Sequence, residues 1–219
     1  MAALAVGGFA LALWAQHTLA LPPKVIDPQM TKYLGRWIFL TYQSNVVAFA
    51  YFVACVFDTQ VANGAYQQEL IALFPLVFAL GCFLTLAHYS LNHFNPEQRR
   101  RLEQHRSKYP YVFVSSHISH GHALPLVAWY AFTVPVDAAS VVLPSGYSAS
   151  RPVILYAVFY AVLSHANYFA TGLWPYPIIE QVSRHGGVAM RCVFFVLLAL
   201  GFVALSSVGL NILRERATP

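Results

Sequence analysis

Apolar runs about as long as a bilayer's hydrocarbon core is thick recur along this chain from its first residues to its last. A helix rises about 1.5 Å per residue, so roughly 20 apolar residues cross the core. Only 10% of the 219 residues are Asp, Glu, Lys or Arg, and 58% are hydrophobic. A soluble domain typically carries about 25% charged residues, which rules out a water-soluble globule. The expected fold is therefore all-α, a polytopic membrane protein with six transmembrane helices in one bundle. Its spans fall at about 2–21, 37–57, 70–91, 109–134, 152–172 and 188–213, and one domain accounts for residues 1–219.

The segments between the runs support this division. Pro22-Pro23 ends the first run, which lacks a basic leader and is expected to be retained as a helix. Asn63-Gly64 marks a turn between the second and third. Residues 95–108 hold Arg99, Arg100, Arg101, Arg106 and Lys108 and read as a solvated loop that also suits acidic lipid headgroups. Pro125 is expected to kink the fourth span. A Pro/Gly/Ser loop covers 135–150, and the aromatic, proline-rich stretch 173–187 suits an interfacial or re-entrant segment.

Ten of the 13 lysines and arginines lie after spans one, three and five, up to Arg191. That asymmetry places those loops in the cytosol and both termini on the other side. The net charge of +5 thus suits headgroups and topology, not nucleic acid. Cys55, Cys82 and Cys192 each lie in an apolar run without CxxC pairing, as small core residues do.

Ionisable side chains inside a membrane span are costly and point to function. Three of the nine histidines fall in Ser115-Ser116-His117-Ile118-Ser119-His120-Gly121-His122, within the fourth span. His117 and His120 are three apart and share a helix face, whereas His122 points away. On the second span Thr41 and Asn45, four apart, also share a face. Thr41 should lie roughly 8 Å, and His120 roughly 16 Å, in from the basic side. No span carries Asp or Glu in its middle, so a hydrolytic site here would be a dyad.

A threonine hydroxyl becomes a nucleophile when a neighbouring base takes its proton. A neutral His120 could do this for Thr41, then activate water to release an acyl-threonine. Asn45 could offer an amide N–H to the developing charge. Two other readings fit the same residues. His88, His93, His117, His120 and His165 could ligate a metal or haem. Alternatively, the polar groups merely tie helices together in a non-catalytic lipid-binding or structural subunit of a larger membrane complex.

Three islands occur in order: Gly35-Arg36-Trp37 followed by Thr41; His117 and His120 followed by Pro125; and Gly172-Leu173-Trp174-Pro175-Tyr176-Pro177. In these the chain resembles the androgen-induced / androgen-dependent TFPI-regulating protein family of six-span membrane proteins. The resemblance implies an intramembrane hydrolase of fatty acid esters of hydroxy fatty acids, with a threonine nucleophile and no metal or other cofactor. By position Thr41 corresponds to the nucleophile, His120 to its histidine and His117 to a supporting histidine. Trp174 and Tyr176 become candidate substrate-binding residues. The implied partners are the lipid substrate and the surrounding membrane lipids. Ser116 departs from the family's asparagine, the residues after Thr41 differ from its pattern, and His122 and the arginine-rich loop are not family features.

Overall fold

The computed structural model of the chain describes residues 1–93, 96–134 and 142–217. Nine α-helices are assigned among them, and no strand. They are α1 (Ala2–Thr18), α2 (Pro23–Ile26), α3 (Leu40–Gln60), α4 (Gln67–Ala87), α5 (Pro96–His105), α6 (Val112–Gly121), α7 (Ala123–Thr133), α8 (Gly146–Thr171) and α9 (Pro177–Ala217). A 3-10 turn at Gly35–Ile38 leads into α3, and a π-helical turn at His88–His93 ends α4. Four helices are long and apolar enough to cross a membrane: Leu40–Gln60, Gln67–Leu91, Gly146–Thr171 and Pro177–Ala217. The chain is a membrane protein built of helices.

The other two expected spans take different forms. The first run is the 17-residue α1. The fourth is broken into α6 and α7, and the break falls at His122 instead of at Pro125. Pro125 is the third residue of α7. Its own missing N–H costs nothing there, but its ring crowds the carbonyl four residues back, at Gly121. The strain is therefore expressed one turn upstream.

The charged segment 95–108 is largely helical from Pro96 onward, because Glu, Gln, Leu and Arg are strong helix formers behind a proline at the first position. Residues 95 and 135–141 of the expected loops lie outside the described residues. The 173–187 stretch enters α9 at Pro177, and α9 itself kinks at Gly186–Gly187. Gly187 has φ 57° and ψ −143° there, a backbone conformation that side chains disfavour.

Helix α4 organises the packing: it touches α3, α6, α7, α8 and α9. In lipid, apolar burial gives little preference for helix–helix contact, so close van der Waals fit has to supply it. Gly81 lets α4 and α7 approach until a Cβ there would lie 2.8 Å from Val127 Cγ1. Aromatic rings fill the wider gap beyond, where Phe9, Phe52, Phe74 and Tyr130 pack into one cluster. Running alternately up and down, the helices bring the start of α3, the end of α4, the end of α8 and the start of α9 to one end of the molecule.

Gly81→Ala should cost about 1–3 kcal/mol through overpacking, read as a lower unfolding midpoint in detergent. Combining it with Val127→Ala should recover part of the loss. Strictly additive losses would show that the α4–α7 approach does not depend on this contact.

Candidate active site

The site begins with how α3 starts. Phe39 is extended (φ −86°, ψ 126°) after the 3-10 turn, and Leu40 is the first helical residue. Thr41 thus sits in the first turn. A threonine deeper in a helix bonds the carbonyl four residues back; here that carbonyl, of Trp37, accepts the Gln43 side-chain amide. The Thr41 hydroxyl is left to turn outward, and its Oγ1 lies 3.2 Å from His120 Nε2. A carbonyl can only accept, so the 2.7 Å contact of His120 Nδ1 with the Ser116 carbonyl places that ring's proton on Nδ1. Nε2 then presents a lone pair to Thr41. The orienting partner is a backbone carbonyl one helical turn back, where a triad would use a carboxylate.

The depths expected from counting did not match, yet the two groups meet. Both estimates assumed helix from Arg36 and Tyr109. The chain before α3 advances as a 3-10 turn, about 2.0 Å per residue, and then through extended Phe39. This carries Thr41 deeper, while α6 begins only at Val112.

His120 is held by the α6–α7 break. In an unbroken helix Leu124 N–H would donate to the His120 carbonyl. Instead the Thr85 hydroxyl of α4 is inserted between them: it accepts from Leu124 N–H at 3.1 Å and donates to the His120 carbonyl at 2.6 Å. An unpaired N–H in hydrocarbon costs several kcal/mol, so this hydroxyl makes the break tolerable. A second clamp comes from Asn45, fully buried, whose amide donates to the Ser119 carbonyl at 3.0 Å.

His88 is the member that sequence reasoning did not assign to this site. Its ring stacks face to face on His120, with centroids 3.9 Å apart and planes 12° apart, and the Ser116 hydroxyl lies 3.5 Å from its Nε2. His88 still follows α4's own period, with its N–H bonded to the Leu84 carbonyl, and helix face alone does not say which ring of a distant helix it meets.

A cavity of about 500 Å³ opens beside the pair. Thr41, His88, His120 and Tyr176 give it a polar end, and Phe83, Leu84, Phe194 and Leu198 are among its apolar walls. The sequence-derived candidates divide accordingly. Tyr176 lines the cavity and its hydroxyl accepts from Leu40 N–H at 3.1 Å. Asn45, His117 and Trp174 lie outside the lining. His117 Nδ1 is 2.9 Å from the Tyr89 hydroxyl on the π turn. Trp174 is buried against Tyr168 at 4.4 Å, beneath the Arg191 guanidinium. Among the described residues no group of three or more His, Cys, Asp or Glu is placed to hold a metal ion. His165 packs on Trp174, away from His88 and His120. The side chain of His93 lies outside the described residues.

A family model described as FAR-17a/AIG1-like protein matches residues 5–213. The chain belongs to that family. This is the androgen-induced family its motifs resemble, and the match covers every residue that lines the cavity. No curated protein and no solved structure matches the chain.

Thr85→Val keeps the shape of the side chain but strands the Leu124 N–H, at a cost of about 1–3 kcal/mol. Hydrogen exchange at Leu124 should accelerate along with a lower unfolding midpoint. Unchanged protection would mean that the two halves of the broken span do not depend on this bridge.

Proposed function

We propose that this FAR-17a/AIG1-like protein is an intramembrane lipid ester hydrolase that uses Thr41 as nucleophile and His120 as general base. Its substrates, on the family resemblance, are fatty acid esters of hydroxy fatty acids. The observation that carries the reading is the 3.2 Å contact from Thr41 Oγ1 to an Nε2 whose tautomer is set by the Ser116 carbonyl. A general base has to lie within about 2.6–3.2 Å of the proton it removes. The cavity supports the choice of substrate: about 500 Å³ is a typical ligand volume, and its walls away from the polar end suit an acyl chain.

In this mechanism Thr41 Oγ attacks the ester carbonyl as its proton passes to His120. The intermediate collapses, and the leaving hydroxy fatty acid takes that proton. Water then attacks the acyl-threonine, again giving its proton to His120, and the released fatty acid leaves Thr41 restored. Negative charge developing on Thr41 lies at the N-terminus of α3, where the helix dipole favours it.

The same reading takes α1 and the α6–α7 pair as two further spans, making six. The cavity end then faces the side where Arg36 and the α5 arginines gather, the cytosol by the positive-inside rule.

A fluorophosphonate probe on the detergent-solubilised protein tests the proposal. The wild type should label and hydrolyse a fatty acid ester of a hydroxy fatty acid. Thr41→Ala and His120→Ala should each lose both signals, while Thr41→Ser, which keeps the hydroxyl, should retain labelling. Labelling that survives Thr41→Ala would remove this nucleophile. A wild type that neither labels nor turns over would favour a non-catalytic lipid-binding or structural subunit.

A further inference from the structure

The reaction above puts negative charge on the carbonyl oxygen of a tetrahedral intermediate, and a low-dielectric site needs a donor aimed at it. Asn45, the donor expected from the sequence, gives an amide N–H to the Ser119 carbonyl and lies outside the cavity lining. We infer that Tyr176 is that donor, an inference that rests on the Thr41–His120 hydrolase reading.

The geometry starts from the short link between α8 and α9. Gly172 ends α8 in the left-handed conformation (φ 76°, ψ 3°), and the chain turns through Leu173–Tyr176 to Pro177, where α9 begins. This lays the Tyr176 ring against Phe39, with centroids 6.3 Å apart. Its hydroxyl reaches the exposed start of α3. The first N–H groups of a helix have no intrahelical partner, and that of Leu40 donates to the Tyr176 oxygen at 3.1 Å.

The Tyr176 oxygen therefore accepts from the positive end of α3, which polarises its O–H and strengthens it as a donor. Among the described residues no carbonyl or carboxylate accepts that O–H. It lines the cavity alongside Thr41 and His120. As Thr41 Oγ bonds to the ester carbon, the C=O π pair moves onto oxygen, and Tyr176 donates a hydrogen bond to it without giving up its proton. Collapse of the intermediate re-forms the C=O and expels the leaving oxygen, which takes its proton from His120. The same bond forms again when water attacks the acyl-threonine.

The test compares full-length wild type, Tyr176→Phe and Thr41→Ala in detergent. The readouts are turnover of a fatty acid ester of a hydroxy fatty acid, inhibition by a long-chain trifluoromethyl ketone, and inhibition by the free fatty acid product. The ketone forms a tetrahedral adduct with an oxyanion; the fatty acid does not. Tyr176→Phe should lower kcat on the order of 10²–10³-fold with little change in KM. Ketone affinity should fall in parallel while product affinity stays level. Because the lost cap on Leu40 could impair folding, 3-fluorotyrosine at position 176 serves as the second variant: it keeps the cap, makes a stronger donor and should tighten ketone binding. A Tyr176→Phe enzyme within twofold of wild-type kcat, or one losing ketone and product affinity equally, overturns the assignment while a dead Thr41→Ala leaves the hydrolase reading standing. An active Thr41→Ala, or an inert wild type, overturns both.

Discussion

One hydroxyl, that of Thr85, stands in for a backbone hydrogen bond that α6 and α7 do not make with each other. Pro125 forces the helix to break near His122, and inside a membrane an unmade backbone bond has no water to fall back on. The inserted threonine satisfies both the Leu124 N–H and the His120 carbonyl. It also couples α4, the most contacted helix, to the residue that faces Thr41. The position of the imidazole is thus set by three helices at once, with α3 adding the Asn45 clamp on Ser119.

Polar atoms in this region are shared out closely. The Ser116 carbonyl holds one nitrogen of His120, leaving the other for Thr41. Gln43 occupies the carbonyl that would otherwise capture the Thr41 hydroxyl. Tyr176 takes the first free N–H of α3. Each of these bonds fixes a side chain or a backbone group that the helix by itself leaves open. The irregular backbone needed for this, a 3-10 turn, a π turn and a proline break, occurs where α3, α4 and α6 meet. Lipid tolerates such irregularity only where protein covers it or a cavity borders it.

The pairing proposed here, of Thr41 with His120 and no carboxylate, suits that setting. A buried acid would have to be brought out of water at a cost of several kcal/mol and matched there by good hydrogen bonds. A backbone carbonyl four residues back orients the imidazole at no such cost, because it already lies inside the helix. The stack of His88 on His120 adds a flat surface that restrains the ring's plane.

Much of this was legible in the chain itself. Hydropathy separates the apolar runs, because helix length and bilayer thickness are linked by geometry alone. Thr41, His120 and Tyr176 stand in motifs that resemble a family, and the absence of an acid within the spans limits any hydrolytic site there to a dyad. The expected substrate-binding role of Trp174 and the oxyanion role of Asn45 rested on chain position and helix face, which do not say what a side chain meets. The break at His122 instead of Pro125, the stacking of His88 on His120, and the capture of Leu40 by Tyr176 depend on residues as much as 136 positions apart. Local composition determined which segments are helices and which few polar groups lie within them. Only the packed tertiary structure decided which of those groups meet, since each pairing is made by a neighbouring helix filling a gap that the local sequence leaves open.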